Sequence, residues 1–208
     1  MLVGIQDEIL RLHAMGWLAP LLADKTTKRN IIWATDAYRV LGAGYERTQE
    51  ILPALITGAH SDVIKTRARK EMEQQSERTR RHAEVFTPLH ICRRMVAAAD
   101  ASYFGGHDPF AQEGHVRFRR WRKWEHYVDA RRLEIACGEA PYLVQRYDVA
   151  TMESVPLAER QGILDRKLRI VSENVMDEDA WMKWVLRAYQ ATYGYEFQGD
   201  NLLIARVN

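Results

Sequence analysis

The chain has 208 residues, of which 47% are hydrophobic and 28% charged, and its net charge is +2. That is the composition of a soluble globular chain with room for one core or two small ones. It argues against a membrane-spanning helix, since no apolar run approaches the about 18 residues a span needs, and against a disulfide framework, since Cys92 and Cys137 are the only cysteines.

The N-terminus has no basic region and meets Asp7 and Glu8 at once, so no secretory leader is expected and the chain is assigned to the cytoplasm. Residues 3–22 place Ile5, Ile9, Leu12 and Gly16 at helical spacing and predict an amphipathic helix. A weaker helix is expected over 46–57, interrupted by Pro53. Residues 61–82 are strong helix formers opened by Ser61 and Asp62. They carry few apolar side chains, so that helix should be solvated or docked on a partner. Thr87 and Pro88 form a helix start, with Thr as N-cap and Pro at the first helical position.

Residues 103–116 read as loop. Residues 133–136 read as a short buried strand running into Cys137 and Gly138, and Pro156 opens a further helix. Residues 178–192 form the clearest amphipathic helix, capped by Asp177, with Trp181, Trp184, Val185, Ala188 and Tyr189 on one face. A strand follows over 192–197, then a break at Gly199 and Asp200, then a final apolar helix over 201–207. The order of strand, turn and helix, twice over, is the start of a parallel α/β sheet behind a helical N-terminal region.

Three segments carry candidate chemistry. The first is A-E-V-F-T-P over 83–88, opening a helix. The second is L-E-I-A-C-G-E-A-P-Y-L over 133–143, where an acid near the end of a strand precedes a small-residue turn. Small residues let backbone approach a nucleotide-like ligand, and N–H groups beyond the turn are donors for a carboxylate. The third is T-Y-G-Y-E-F-Q-G-D-N over 192–201, where Glu196 ends the next strand and can accept hydrogen bonds from ribose hydroxyls.

In this order the three segments resemble the adenine-N6 DNA methyltransferases of restriction–modification systems. In that family an E-(V/F)-F-T-P segment precedes a D/E-P-A-C-G-x-G cofactor loop and a Y-G-x-E strand. Residues 30–38, 78–88, 138–143 with 146–148, and 195–203 resemble one subgroup, the M subunits of restriction enzymes, and the likeness extends from about residue 28 to the end. The resemblance implies a helical region over 1–82 and, over 83–208, a partial Rossmann-like methyltransferase sheet of few parallel strands.

It implies S-adenosylmethionine as cofactor. Phe86, Thr87 and Pro88 would line its methionine end, and Glu134, Ala136, Gly138 and Glu139 would form the cofactor loop. Glu196 would hold the ribose and Phe197 would flank the adenine. Two positions depart from the family pattern: Ile135 replaces Pro, and Ala140 stands where a second Gly is common. A methyl group at Ala140 calls for a negative φ there.

The family's catalytic (N/D/S)-P-P-(Y/F/W) segment is missing. The six prolines lie at 20, 53, 88, 109, 141 and 156, and no two are adjacent. The echo at Asp108, Pro109 and Phe110 reads as a loop turn. The chain alone is therefore expected to be inactive, with no catalytic residue. Its partial sheet would be completed by another polypeptide or by a second copy. A rival expectation is a truncated, non-catalytic homologue from a phage or mobile element that binds a methyltransferase or restriction partner.

The stretch Arg117, Phe118, Arg119, Arg120, Trp121, Arg122 and Lys123 puts five cations in seven residues, interleaved with aromatics. DNA phosphate contact with base stacking is one reading. A solvated edge whose Trp121, Trp124 and Tyr127 anchor the core is the other. A second cluster, Arg78, Arg80 and Arg81, reads as a solvated helix face. Cys137 is small enough for its loop and reads as structural. His107 and His115 lack the further ligands a metal needs, so no metal is expected.

Overall fold

A computed structural model describes residues 4–70, 87–111, 114–118 and 123–208. The chain divides into two compact units. The first is Met1–Phe86 with Thr151–Glu153 and Glu196–Asn208, and the second is Thr87–Ala150 with Ser154–Tyr195. The fold is α/β, with a two-stranded parallel sheet.

In the first unit the helix expected over 3–22 is two helices, α1 (Ile5–Ala14) and α2 (Leu18–Leu22). The break follows from Gly16, whose φ of 77° is left-handed. Asp7 accepts a hydrogen bond from the Gly4 amide at 3.0 Å and fixes the start of α1. The helix expected over 46–57 is absent: only a 3-10 turn at Pro53–Leu55 forms. Pro53 lacks an N–H, and the residues before it bridge to another segment instead, with the Ile51 amide on the Ile31 carbonyl at 2.8 Å.

The helix expected over 61–82 is likewise absent from residues 61–70, which hold only the 3-10 turn Arg67–Arg69. Here burial overrides propensity, because Ile64 and Thr66 are fully buried and Lys70 nearly so. Residues 71–82 lie outside the described residues, as do Arg78, Arg80 and Arg81.

The core of this unit gathers Ile5, Ile9, Leu22, Trp33, Ile51 and Ile64 with Leu203 and Ile204 from the C-terminal helix. Each fully buried aliphatic side chain contributes about 1.5–3 kcal/mol.

The second unit begins with α3 (Leu89–Phe104). Pro88, rather than Thr87, occupies its N-cap, and no side chain caps it. The helix closes on Gly105 at φ 75°, the left-handed stop that a missing Cβ permits. Next come α4 (Trp124–Asp129), β1 (Arg132–Ile135), α5 (Ile163–Asn174), α6 (Glu178–Gln190) and β2 (Thr192–Tyr195). In place of the helix expected at Pro156, the single 3-10 turn Leu157–Glu159 precedes α5. Asp177 caps α6 as expected, accepting from the Ala180 amide at 2.9 Å.

Strands β1 and β2 pair in parallel, with Leu133 opposite Tyr193 and Ile135 opposite Tyr195. Paired residues share a face, and this face is open: Leu133, Ile135, Tyr193 and Tyr195 are all exposed, Ile135 to 76%. The expectation of a buried strand over 133–136 is thus corrected. Parallel strands normally carry helices on both faces, and among the described residues none buries these apolar side chains.

Behind the strands, Arg166 is fully buried between Asp100 at 3.1 Å and Asp108 at 2.9 Å, with its guanidinium 4.4 Å from the centroid of the Phe110 ring. Tyr127 and Arg132 also bond Asp100, at 2.6 and 2.8 Å. The buried Lys167 ammonium donates to the carbonyls of Ala130 and Ala191, two residues before β1 and immediately before β2. The strand starts are thereby tied to α5. The last helix, α7 (Gly199–Val207), belongs to the first unit.

Candidate functional site

The parallel register brings the carboxyl ends of β1 and β2 side by side, and the ladder continues one step further: the Cys137 amide donates to the Tyr195 carbonyl at 2.9 Å. In parallel α/β sheets ligands bind at that end. Ala136 to Ala140 leave β1 there as a tight series of turns. Ala136, Gly138 and Ala140 have φ values of 59°, 56° and 66°. The expected negative φ at Ala140 is therefore overturned.

The turn hydrogen bonds hold it. The Ala140 amide donates to the Cys137 carbonyl at 2.8 Å, and the Ala140 carbonyl accepts from the Leu143 and Val144 amides. A non-glycine residue in that region costs about 1–2 kcal/mol.

Room at the loop is set by two glycines. A Cβ built on Gly138 meets nothing within 4 Å, so its backbone faces open space. A Cβ on Gly194 would lie 2.9 Å from both the Cys137 sulfur and a Leu143 methyl. The glycine in the middle of β2 is what lets the loop settle against that strand.

The structure brings the Thr-Pro segment to this loop. The Thr87 side chain lowers the proton affinity of the Tyr142 phenol. The Thr87 carbonyl accepts from the Cys92 thiol at 3.4 Å, and Tyr142 donates to the Met95 sulfur at 3.1 Å. Burial, reinforced by the Glu134 and Asp148 carboxylates, pushes the Cys92 thiol up to about 12, so it stays a neutral packing group. Burial also raises the Tyr142 phenol, with Glu134 adding to the shift and Thr87 opposing it.

Glu139 is buried and accepts from the Tyr147 hydroxyl at 2.7 Å. Cys92 and Asp148 were not among the sequence candidates. The signal available for Cys92 was its place one turn beyond Thr87 and Pro88.

Glu196 is the next residue after β2 and belongs to the first unit. Its carboxylate accepts from the Gln198 amide at 2.9 Å, and Phe197 is exposed. Phe86, Arg119, Arg120, Trp121 and Arg122 lie outside the described residues. Arg117 and Lys123 are exposed, while Tyr127 is buried and the Trp124 ring packs 4.7 Å from Trp184.

Cys137 is buried and forms no disulfide. Among the described residues no cluster of three or more His, Cys, Asp or Glu could hold a metal, and no helix is long and apolar enough to cross a membrane. The chain matches no protein-family model, no curated protein and no solved structure.

Proposed function

We propose that this chain is the cofactor-binding part of an adenine-N6 DNA methyltransferase acting in a restriction–modification system. The observation that carries the reading is the parallel pairing of β1 with β2, which sets the Cys137–Gly138 turn beside Tyr195, the residue before Glu196. The second and third segments that resemble the family's cofactor motifs thus contain the two paired strands. The open space over Gly138 fits a ligand drawn close to backbone.

In this reading S-adenosylmethionine supplies the methyl group for adenine N6. Glu134, Ala136, Gly138 and Glu139 form the loop around the cofactor, with Phe86, Thr87 and Pro88 at its methionine end. Glu196 accepts from the ribose hydroxyls, and Phe197 offers a ring to the adenine. The left-handed Ala136 and Ala140 are strained, so affinity is weaker than a glycine-rich loop would give. The 208 residues contain no adjacent prolines, so the groups that hold the adenine amino group lie outside them.

The test is ultraviolet cross-linking of radiolabelled S-adenosylmethionine followed by peptide mapping. The expected label falls within 134–143 or 192–201. Label confined to other peptides, or none that unlabelled cofactor competes away, contradicts the reading.

A second reading has its own observation, the exposed face of Leu133, Ile135, Tyr193 and Tyr195. A non-catalytic homologue that docks on a methyltransferase or restriction partner would use such a face. Co-purification with a full-length homologue, without cofactor binding, would favour it.

A further inference from the structure

A groove of about 760 Å³ runs along α5 in the second unit. That is the size range of small-molecule sites. Its apolar wall is Phe110, Leu157 and Leu168, with Leu157 79% exposed. Three arginines line it: Arg93 from α3, Arg160 from the segment before α5, and Arg169 from α5.

Their partners decide what the groove can take. Arg169 is paired with Glu173 at 2.7 Å and also donates to the Gly114 carbonyl. Arg93 and Arg160 are held by neutral oxygens: Arg93 by the Glu159 carbonyl at 2.9 Å and the Gln145 amide at 3.4 Å, and Arg160 by the Val155 carbonyl at 3.1 Å. Neither forms an ion pair among the described residues. Both are orientated while their terminal N–H groups keep capacity to donate.

Among the described residues, two carboxylates line the groove, Glu159 and Asp165. The Asp165 carboxylate accepts from the Gln145 and Gly162 amides at 2.8 and 3.0 Å, so it serves as the cap of α5. Burial raises its proton affinity, against those amides and the Arg160 charge. The Ser172 oxygen accepts from the Trp181 indole at 3.1 Å, which leaves its hydrogen to donate. The groove therefore offers guanidinium and hydroxyl donors beside an apolar wall.

We propose that this groove binds a small organic phosphate carrying an apolar ring, of about nucleoside-monophosphate size. A phosphate has three equivalent oxygens and more charge than a carboxylate, so it can accept from the forks of Arg93 and Arg160 together. The ring covers Leu157 and Leu168. The inference is independent of the proposed cofactor role.

Calorimetry of the full chain with uridine monophosphate, uridine and inorganic phosphate tests it. Saturable binding of the nucleotide, at least tenfold tighter than either half, is expected. Arg93→Gln and Arg160→Gln should each weaken it about tenfold, the worth of a hydrogen bond to a charged group. Leu157→Asp, at an exposed position that folding does not need, should abolish it. S-adenosylmethionine should not displace it, and Glu196→Ala should leave it unchanged. No saturable binding, equal affinity for inorganic phosphate, indifference to Leu157→Asp, or displacement by S-adenosylmethionine would each overturn the proposal.

Discussion

Tyr38 and Asp200 stand 162 positions apart and share a hydrogen bond of 2.8 Å, with the Lys70 ammonium on the same carboxylate oxygen at 2.9 Å. Lys70 and Asp200 are both buried, so this is an ion pair removed from water. Deleting one partner leaves a buried uncompensated charge, which costs about 3–5 kcal/mol. Asp200→Ala should lower the denaturation midpoint accordingly, and Tyr38→Phe should cost only about 1 kcal/mol. Equal small losses for the two variants in urea titrations would show that the pair is not the anchor of α7.

Gly194 bears a different load. Its absent side chain leaves space for the Cys137 sulfur and a Leu143 methyl. Both are movable, so Gly194→Ala should be tolerated at a cost of about 1–3 kcal/mol. Pairing it with Cys137→Ala should recover part of that loss. A double-mutant cycle with no coupling would contradict the packing.

Ala136 is exposed at φ 59°, and nothing in its burial rewards the methyl group. Ala136→Gly should stabilise the second unit by about 0.5–1 kcal/mol, the relief of a left-handed alanine less the added freedom of the unfolded chain. A fall in the thermal midpoint would refute the strain.

Lys167 predicts a pH dependence. Burial, with Arg132 adding to it, depresses its ammonium from 10.5 to about 8. Between those values the unfolded chain binds the additional proton, so this group's contribution to stability rises with pH from about 8 to 10.5. Tyr127 acts in the opposite sense above its ordinary range, because burial raises it well above 10.0. The comparison is therefore best made between pH 8 and 9.5, wild type against Lys167→Met. The wild type should gain on the variant across that window, and parallel curves would exclude the effect.

The sequence made some of these relationships legible and hid others for physical reasons. The helix α6 was readable because Asp177 caps it and its apolar positions repeat at 3.6 residues, both local properties. The parallel order of β1 and β2 was readable from the helices between them. The helix expected from residue 61 failed because its propensities are local, whereas the burial of Ile64, Thr66 and Lys70 in the first unit is tertiary.

The open face of β1 could not be foreseen. Leu133 and Ile135 look like core residues in any strand, and only the missing cover tells otherwise. At the candidate site, the left-handed Ala140 opposed the expected negative φ. A turn series set by four backbone hydrogen bonds does not announce itself in side-chain identity.

The central claim is that the loop after β1 and the acid after β2 bind S-adenosylmethionine. Calorimetric titration of the full chain with the cofactor, beside Glu196→Ala, tests it most directly. In the proposed reading Glu196→Ala would remove charged hydrogen bonds to the ribose, and a loss of about tenfold in affinity is expected. A flat titration of the wild-type chain at high protein concentration, or equal affinity in the variant, would contradict it.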